Sequence, residues 1–407
     1  MASRRGRTYC YFQQQSMKIL GINISHHGSS CLLENNEIKF FLEDERVSRV
    51  KGYCVSENDS AWDAGHLPIY FLEAVLKYTN HIDYIIFSSF EREEENPRQS
   101  DDVIIDEYLE RLKEGGVTWG DVVYQSENHH IYHAATGFYG SGLDNAVALV
   151  MDGGGGLYKD EDVIEDITGG YDYFRELESI YSCDYTNGIV KEWQHYGFNG
   201  SSPESVTIIG SEDHFIYEEG NDVISNTLSC GPLFNRMSYL LGFTDGGDAG
   251  KVMGMASYCK NSSTNSGWWD EIDWYTDDDI RTTTTELGDY LGQDNPFPFK
   301  RKSVDKEDFF LKCRVARRLQ DETLEHTLTL IERAVEITGS SNVILSGGYS
   351  ANCMNNYRYL QELHPGIKLY VDPIPNDAGT ALGAARWLYY KLTKSHVKNP
   401  LTTLYLS

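Results

Sequence analysis

Positive charge is scarce in this chain: 35 Lys and Arg stand against 62 Asp and Glu in 407 residues, a formal net charge of -27. Neutralising a phosphate backbone takes clustered Lys and Arg, so this balance speaks against direct binding to DNA or RNA and favours a small or locally bound substrate. Long apolar runs are missing too. No stretch approaches the ~18 consecutive apolar residues of a membrane-spanning helix, so no membrane role is expected. The eight cysteines are scattered from Cys10 to Cys353 without a C-x-x-C pair. That spacing excludes a zinc ribbon or a disulfide framework and points to a reducing, cytoplasmic compartment. Residues 1–16 carry Arg4, Arg5 and Arg7 but no apolar core. They do not read as a secretory signal and are expected to be a disordered tail.

What is present centres on His129 and His133. One helical turn separates them, so both imidazoles lie on one face and can reach one ion. His130 complicates the reading, because it also precedes His133 closely and is an alternative to His129 as a ligand. Further on, the apolar run Ala146 to Met151 ends in Asp152 and the glycines Gly153, Gly154, Gly155 and Gly156. A strand that ends this way brings a carboxylate and a phosphate-accepting backbone to one place. A second strand, at residues 342–345, opens into Ser346, Gly347 and Gly348. A metal beside a nucleotide held between two α/β lobes is the simplest reading, although such glycine turns also serve merely to reverse the chain.

Periodicity predicts strands at 18–24, 30–34, 38–43, 82–88, 146–151, 342–345 and 367–371. Helices are predicted at 67–78, 102–114, 129–139, 315–338, from about 352, and at 379–392. The order indicates a mixed α/β sheet in each half. The expected division is an N-terminal lobe over 17–145, a C-terminal lobe over 146–395 and a tail over 396–407. An irregular, aromatic and acidic insertion is expected around 171–226, and residues 268–279 carry no periodicity either.

Six segments, taken in order, resemble the NodU/CmcH-type, tobramycin carbamoyltransferase-like family. The opening strand runs into His26-His27-Gly28-Ser29, similar to that family's H-H-D-(S/A) turn. Glu43-Asp44-Glu45-Arg46-Val47-Ser48-Arg49 is similar to E-E-E-R-(F/L)-(S/T)-R, and His129-His130-Ile131-Tyr132-His133-Ala134-Ala135 to H-H-x-x-H-A-A. Gly250-Lys251-Val252-Met253-Gly254-Met255-Ala256 is close to G-K-V-M-G-L-A, and Ser346-Gly347-Gly348 through Asn352-Cys353 to (A/S)-G-G-x-x-x-N-C. Asp377-Ala378-Gly379 through Leu382-Gly383-Ala384-Ala385 is close to D-x-G-x-x-(L/I)-G-A-A.

The resemblance implies a two-lobed actin-like ATPase fold of duplicated mixed sheets, similar to the tRNA threonylcarbamoyltransferase subunit. It implies transfer of a carbamoyl group from carbamoyl-adenylate to a hydroxyl of a small-molecule, sugar or nucleotide acceptor. His129, His133, Asp152 and Asp377 would hold one divalent metal, iron first, with manganese or zinc as alternatives. His27 would be the base. Gly153, Gly154, Gly155, Lys251, Gly347, Gly348 and Asn352 would face the ATP-derived adenylate.

There are departures. Gly28 replaces an Asp that would orient His27, and Ser257-Tyr258-Cys259 replaces the commoner P-Y-G. Relatives also carry a C-terminal YrdC-like domain that makes the adenylate, and the residues after Asp377 are too few for one, so a separate YrdC-like protein is the expected partner. Homodimerisation is left open. The competing readings are a tRNA threonylcarbamoyltransferase-like enzyme and a nucleotide-binding regulatory subunit without catalysis.

Overall fold

A computed structural model describes residues 16–53, 69–90, 100–158, 160, 174–198, 216–225, 229–241, 243, 248–259 and 306–403. Residues 1–15 of the expected tail and the 268–279 region lie outside them.

The first sheet begins with β1 (Lys18–Asn23), whose side chains are buried on both faces beyond Lys18, as a near-continuous apolar run requires. β2 (Ser29–Glu34) and β3 (Glu37–Glu43) follow as a hairpin, then a short α1 (Asp44–Ser48), α2 (Leu72–Tyr78), β4 (His81–Ser88), α3 (Asp101–Glu114) and β5 (Thr118–Tyr124). The strand order is β3-β2-β1-β4-β5. β1 is antiparallel to β2 and parallel to β4. β5 lies between the acidic helix and the histidine helix, where periodicity gave no strand. Its mixed exposure along Thr118–Tyr124 explains the missing signal.

The chain then passes through α4 (His129–Ser141) into β6 (Asn145–Met151), β7 (Phe174–Asp184), β8 (Gly188–Phe198), β9 (Ile216–Glu219) and β10 (Asp222–Ser225). Next come α5 (Cys230–Leu240), α6 (Ala249–Ala256), α7 (Lys306–Thr338), β11 (Asn342–Ser346), α8 (Cys353–Glu362), β12 (Lys368–Val371) and α9 (Ala378–Thr393). The second sheet runs β12-β11-β6-β7-β8-β10-β9. Its first five strands repeat the first sheet: β6 is antiparallel to β7 and parallel to β11, as β1 is to β2 and β4. The protein is a duplicated, two-lobed actin-like fold.

Two helices lock the halves. α4 follows the first sheet but packs on β6 and β11, whereas α9 follows the second but packs on β1, β2 and β4; the two helices also pack on each other. Small residues make that approach close. A Cβ built on Gly383 would stand 1.9 Å from the carbonyl oxygen of Tyr132, so the α4–α9 spacing admits only glycine there.

Two expectations are corrected. The 171–226 region is not an irregular insertion throughout: β7 and β8 lie within it as two strands inside the second sheet, with β9 and β10 at its edge. Register shifts at Glu176/Glu178 and Ile180/Tyr181 break the period-two pattern. Buried Arg175, Glu176, Glu178, Gln194 and His195 remove the apolar signal. Nor is the segment from 396 a loose tail in its described part. Leu401 N–H donates to Gly140 O, Asn399 Nδ2 to Asn36 O, and Arg386 Nη2 to Asn399 O, so it straps the two lobes. No described helix is long and apolar enough to cross a membrane.

Candidate metal centre between the lobes

The first turn of α4 delivers His129 and His133, both fully buried. Asp152 directly follows β6, and its N–H donates to Leu177 O, which fixes the turn. Asp377 stands at the start of α9. One ligand atom from each of the four lies within 4.8 Å of the others. Nε2 of His129 is 3.4 Å from Asp152 Oδ2 and 3.8 Å from Asp377 Oδ1, and Nε2 of His133 is 3.9 and 3.6 Å from the same oxygens. The two Nε2 atoms are 3.2 Å apart.

These spacings fit a cation. Ligands each ~2.1 Å from one tetrahedral ion stand about 3.4 Å from each other. Without an ion, the charges of these four buried groups depend on one another. Burial works against ionising Asp152, but His129 and His133 outweigh it and hold the carboxyl well below the usual range. Asp377 is lowered in the same way, against burial and the neighbouring Asp152. Burial lowers the basicity of His129, yet Asp377 and Asp152 raise it overall.

Outer partners orient the carboxylates. Gly348 N–H donates to Asp152 Oδ1 at 2.7 Å, and Ser25 Oγ donates to Asp377 Oδ2 at 3.0 Å. Asn23 ties this to the preceding turn: its Oδ1 accepts from Ser25 N–H at 3.1 Å, and its Nδ2 donates to the carbonyls of His26 and His27. Support of this kind usually settles a ligand's direction. Sequence reasoning missed Asn23 and Ser25. The available signal was two small polar residues at the buried end of an otherwise apolar strand.

His130 is separate from this group. Its Nδ1 lies 2.8 Å from Ser179 Oγ and 3.5 Å from Glu176 Oε1, and burial pushes its pKa down to about 4. His129, and not His130, is therefore the histidine that groups with His133, Asp152 and Asp377. His27 sits in the left-handed region at φ 55, next to Gly52. The missing side chain at Gly28 also has an explanation: a Cβ there would come within 2.7 Å of Asp44 Oδ2, so the carboxyl of Asp44 fills that space. Burial pushes Asp44 up to about 7.

Among the residues read as facing a nucleotide, Gly153 is an open position: a Cβ there would meet only Asn235 Nδ2 at 3.8 Å. A Cβ on Gly155 would strike His130 at 2.8 Å, and one on Gly347, which has φ +86, would strike Met151 O at 2.3 Å. Asn352 pairs its amide with Gln320 and caps α8 through Asn355 N–H. Lys251, largely exposed, lies 2.6 Å from Asp248 Oδ1.

Comparison with known proteins decides the family. The sequence family described as carbamoyltransferase N-terminus matches residues 118–386, well over half of the chain and including all four of these candidate ligands. The chain belongs to the carbamoyltransferase family. An uncharacterized protein of Synechocystis sp., sll1178, is 24% identical over 417 positions that cover 94% of this chain and 59% of that protein. Full-length HypF, solved in a phosphate- and nucleotide-bound form, superposes with a TM-score of 0.51 at 14% identity. That match covers 93% of this chain and 47% of HypF and shows a shared fold. The activator of 2-hydroxyisocaproyl-CoA dehydratase from Clostridium difficile, with bound ADPNP, is a more distant likeness, with a TM-score of 0.42 at 11% identity over 94% of this chain and 99% of its own. The chain thus spans about 59% of the Synechocystis relative and under half of HypF.

Proposed function

We propose that this chain is the transfer domain of an O-carbamoyltransferase of NodU/CmcH type, moving a carbamoyl group from carbamoyl-adenylate to a hydroxyl of a small acceptor. The observation that carries the reading is the convergence of His129, His133, Asp152 and Asp377 between two lobes, in a chain of the carbamoyltransferase family. Those four residues would hold a divalent metal, iron being the first candidate and manganese or zinc the others. Such an ion, when bound, supplies positive charge that draws electron density from a carbonyl or phosphate oxygen.

The chain's own residues supply the rest. The acceptor hydroxyl oxygen attacks the carbamoyl carbon, the carbon–oxygen bond to the phosphate breaks, and AMP leaves with the electron pair. His27 takes the hydroxyl proton and returns it to water. Asn23 holds the backbone carbonyls of the His26–His27 turn and, through Ser25, the carboxylate of Asp377, so base and ligand set share one mount. Gly153 offers an open backbone for the adenylate phosphate, with Gly154 beside it, and the Gly347–Gly348 turn with Asn352 closes its nucleoside side. A YrdC-like unit outside these residues supplies the labile adenylate from ATP and carbamoyl phosphate and passes it to the cleft.

The test gives the purified chain carbamoyl-adenylate made in place by a YrdC-like enzyme, together with a panel of sugar, nucleoside and aminoglycoside hydroxyl acceptors. Acceptor-dependent AMP release and a carbamate ester are expected, with both lost in His27→Asn while metal content stays unchanged. AMP release that no acceptor stimulates would overturn the transfer reading. Normal turnover in His27→Asn would remove the base assignment.

A further inference from the structure

The second sheet carries another convergent cluster, on the face of β7 turned away from His130. Glu178, opposite Met151 in register, is 1% exposed and projects toward α7. Its Oε1 lies 2.8 Å from His326 Nε2, and its Oε2 lies 3.2 Å from His195 Nδ1, whose Nε2 meets Ser225 Oγ at 2.7 Å. Cys230, the fully buried first residue of α5, brings its sulfur to the same point. One ligand atom each from Glu178, Cys230 and His326 lies within 4.8 Å of the others. Nothing in the transfer reaction uses these groups.

We propose that Glu178, Cys230 and His326 form a second cation site, distinct from the interlobe centre, that takes a thiophilic divalent ion such as zinc. Three arguments converge on it. A carboxylate, an imidazole and a thiol are a ligand set that zinc accepts with a fourth position left for water, and the sulfur disfavours magnesium and calcium. The free carboxylate oxygen is held by His195, which is itself held by Ser225, the outer support that ligands commonly show. The side chain of His326 is 28% exposed, which opens a path from solvent to an otherwise buried point.

Binding breaks the Cys230 S–H bond, forms a sulfur–metal bond and releases the thiol proton to water. Without an ion, burial and the Glu178 charge hold that thiol protonated. The site also bears on the centre. A Cβ on Gly231, next to Cys230, would stand 2.5 Å from Asp152 O, so an ion here braces the strand end that carries Asp152.

Cobalt distinguishes the two sites, because the interlobe ligands contain no sulfur. Chelator-stripped protein titrated with Co²⁺ should develop a thiolate-to-cobalt charge-transfer band in the near ultraviolet, saturating at about one equivalent and displaced by zinc. The band should survive in His129→Ala and in Cys353→Ser, which removes an exposed cysteine. It should vanish in Cys230→Ser, and His326→Ala should weaken cobalt binding at this site at least about tenfold. Circular dichroism confirms the fold of each variant, and Cys230→Ala repeats the test with a second substitution. No thiolate band in the parent protein, or a band that persists in folded Cys230→Ser and Cys230→Ala, would overturn the proposal and leave Glu178 a hydrogen-bonded ion pair beside an inert thiol.

Discussion

The two sheets share a strand order and differ in what they bury. The first packs Ile19, Leu20, Ile22, Ile85, Ile86 and Phe87 into its interior and buries only small uncharged polar residues, Asn23, Ser29, Ser30 and Ser88, along these strands. The second buries Arg175, Glu176, Glu178, Gln194 and His195 on its hairpin strands. Duplication therefore fixed where strand ends meet but not what they carry. β1 and β6 are equivalent first strands, and both end at the centre. One delivers Asn23 and Ser25, which hold a neighbouring carboxylate and turn; the other delivers Asp152, one of the four groups that could hold a metal ion. One half supplies the mount and the other most of the charge.

Removing the charged side should have the largest effect. His129→Ala or His133→Ala leaves a three-ligand site with two facing carboxylates, so metal content measured by elemental analysis should fall close to zero. His130→Ala should keep full occupancy, because that ring is committed to Ser179 and Glu176. Retained metal in both ligand variants would dissolve the centre as described.

Removing the mount should cost less. Ser25→Ala deletes the hydrogen bond to Asp377 while every ligand stays, and outer partners of this kind are worth about 10- to 100-fold in metal affinity. Asn23→Ala should match or exceed that loss, since it also frees the carbonyls of His26 and His27. Competition with a chelator measures both. An affinity unchanged in Ser25→Ala would mean that the first lobe contributes only shape.

Legibility followed the same division between the lobes. The i, i+4 histidines and the strand that ends in Asp152 were readable because each is a local pattern, whereas Asp377 entered only through the family resemblance. In the first lobe β1, β2 and β4 were readable because they are largely apolar, whereas β5, with its mixed exposure, was not. β7 and β8 were not, because buried charges and two register shifts erase alternation, and their partners come from α4 and α7, far away in sequence. Ser25 and Asp377 are separated by 352 residues, a pairing that only the fold discloses. Gly347 was read as facing a nucleotide; its φ of +86 and the close approach a Cβ there would make to Met151 O give it a packing role as well. Gly347→Ala should therefore lower the melting temperature by the equivalent of about 1–3 kcal/mol or more. Any loss of nucleotide affinity has to be judged in Gly154→Val instead. A melting temperature equal to the parent's in Gly347→Ala would contradict the close packing.

The smallest expected effect concerns Asp44, a carboxyl that the first lobe buries beside the His27–Gly28 turn. Burial pushes its pKa up to about 7 in the folded chain, against ~3.9 when unfolded. Between those values the folded chain keeps a proton that the unfolded chain has lost, so this group makes stability fall as pH rises through the window from about 4 to about 7. The carboxylates at the interlobe centre have the opposite sign: their lowered pKa values contribute stability that is lost as pH falls. Asp44→Asn keeps the shape beside Gly28 and cannot ionise. It should melt close to the parent at about pH 5 and higher by a few degrees at about pH 8, where the parent must carry a buried charge. Superimposable melting curves for the two proteins across that range would show that Asp44 keeps its charge solvated. The space beside Gly28 would then be filled by a water-accessible carboxylate and not by a buried acid.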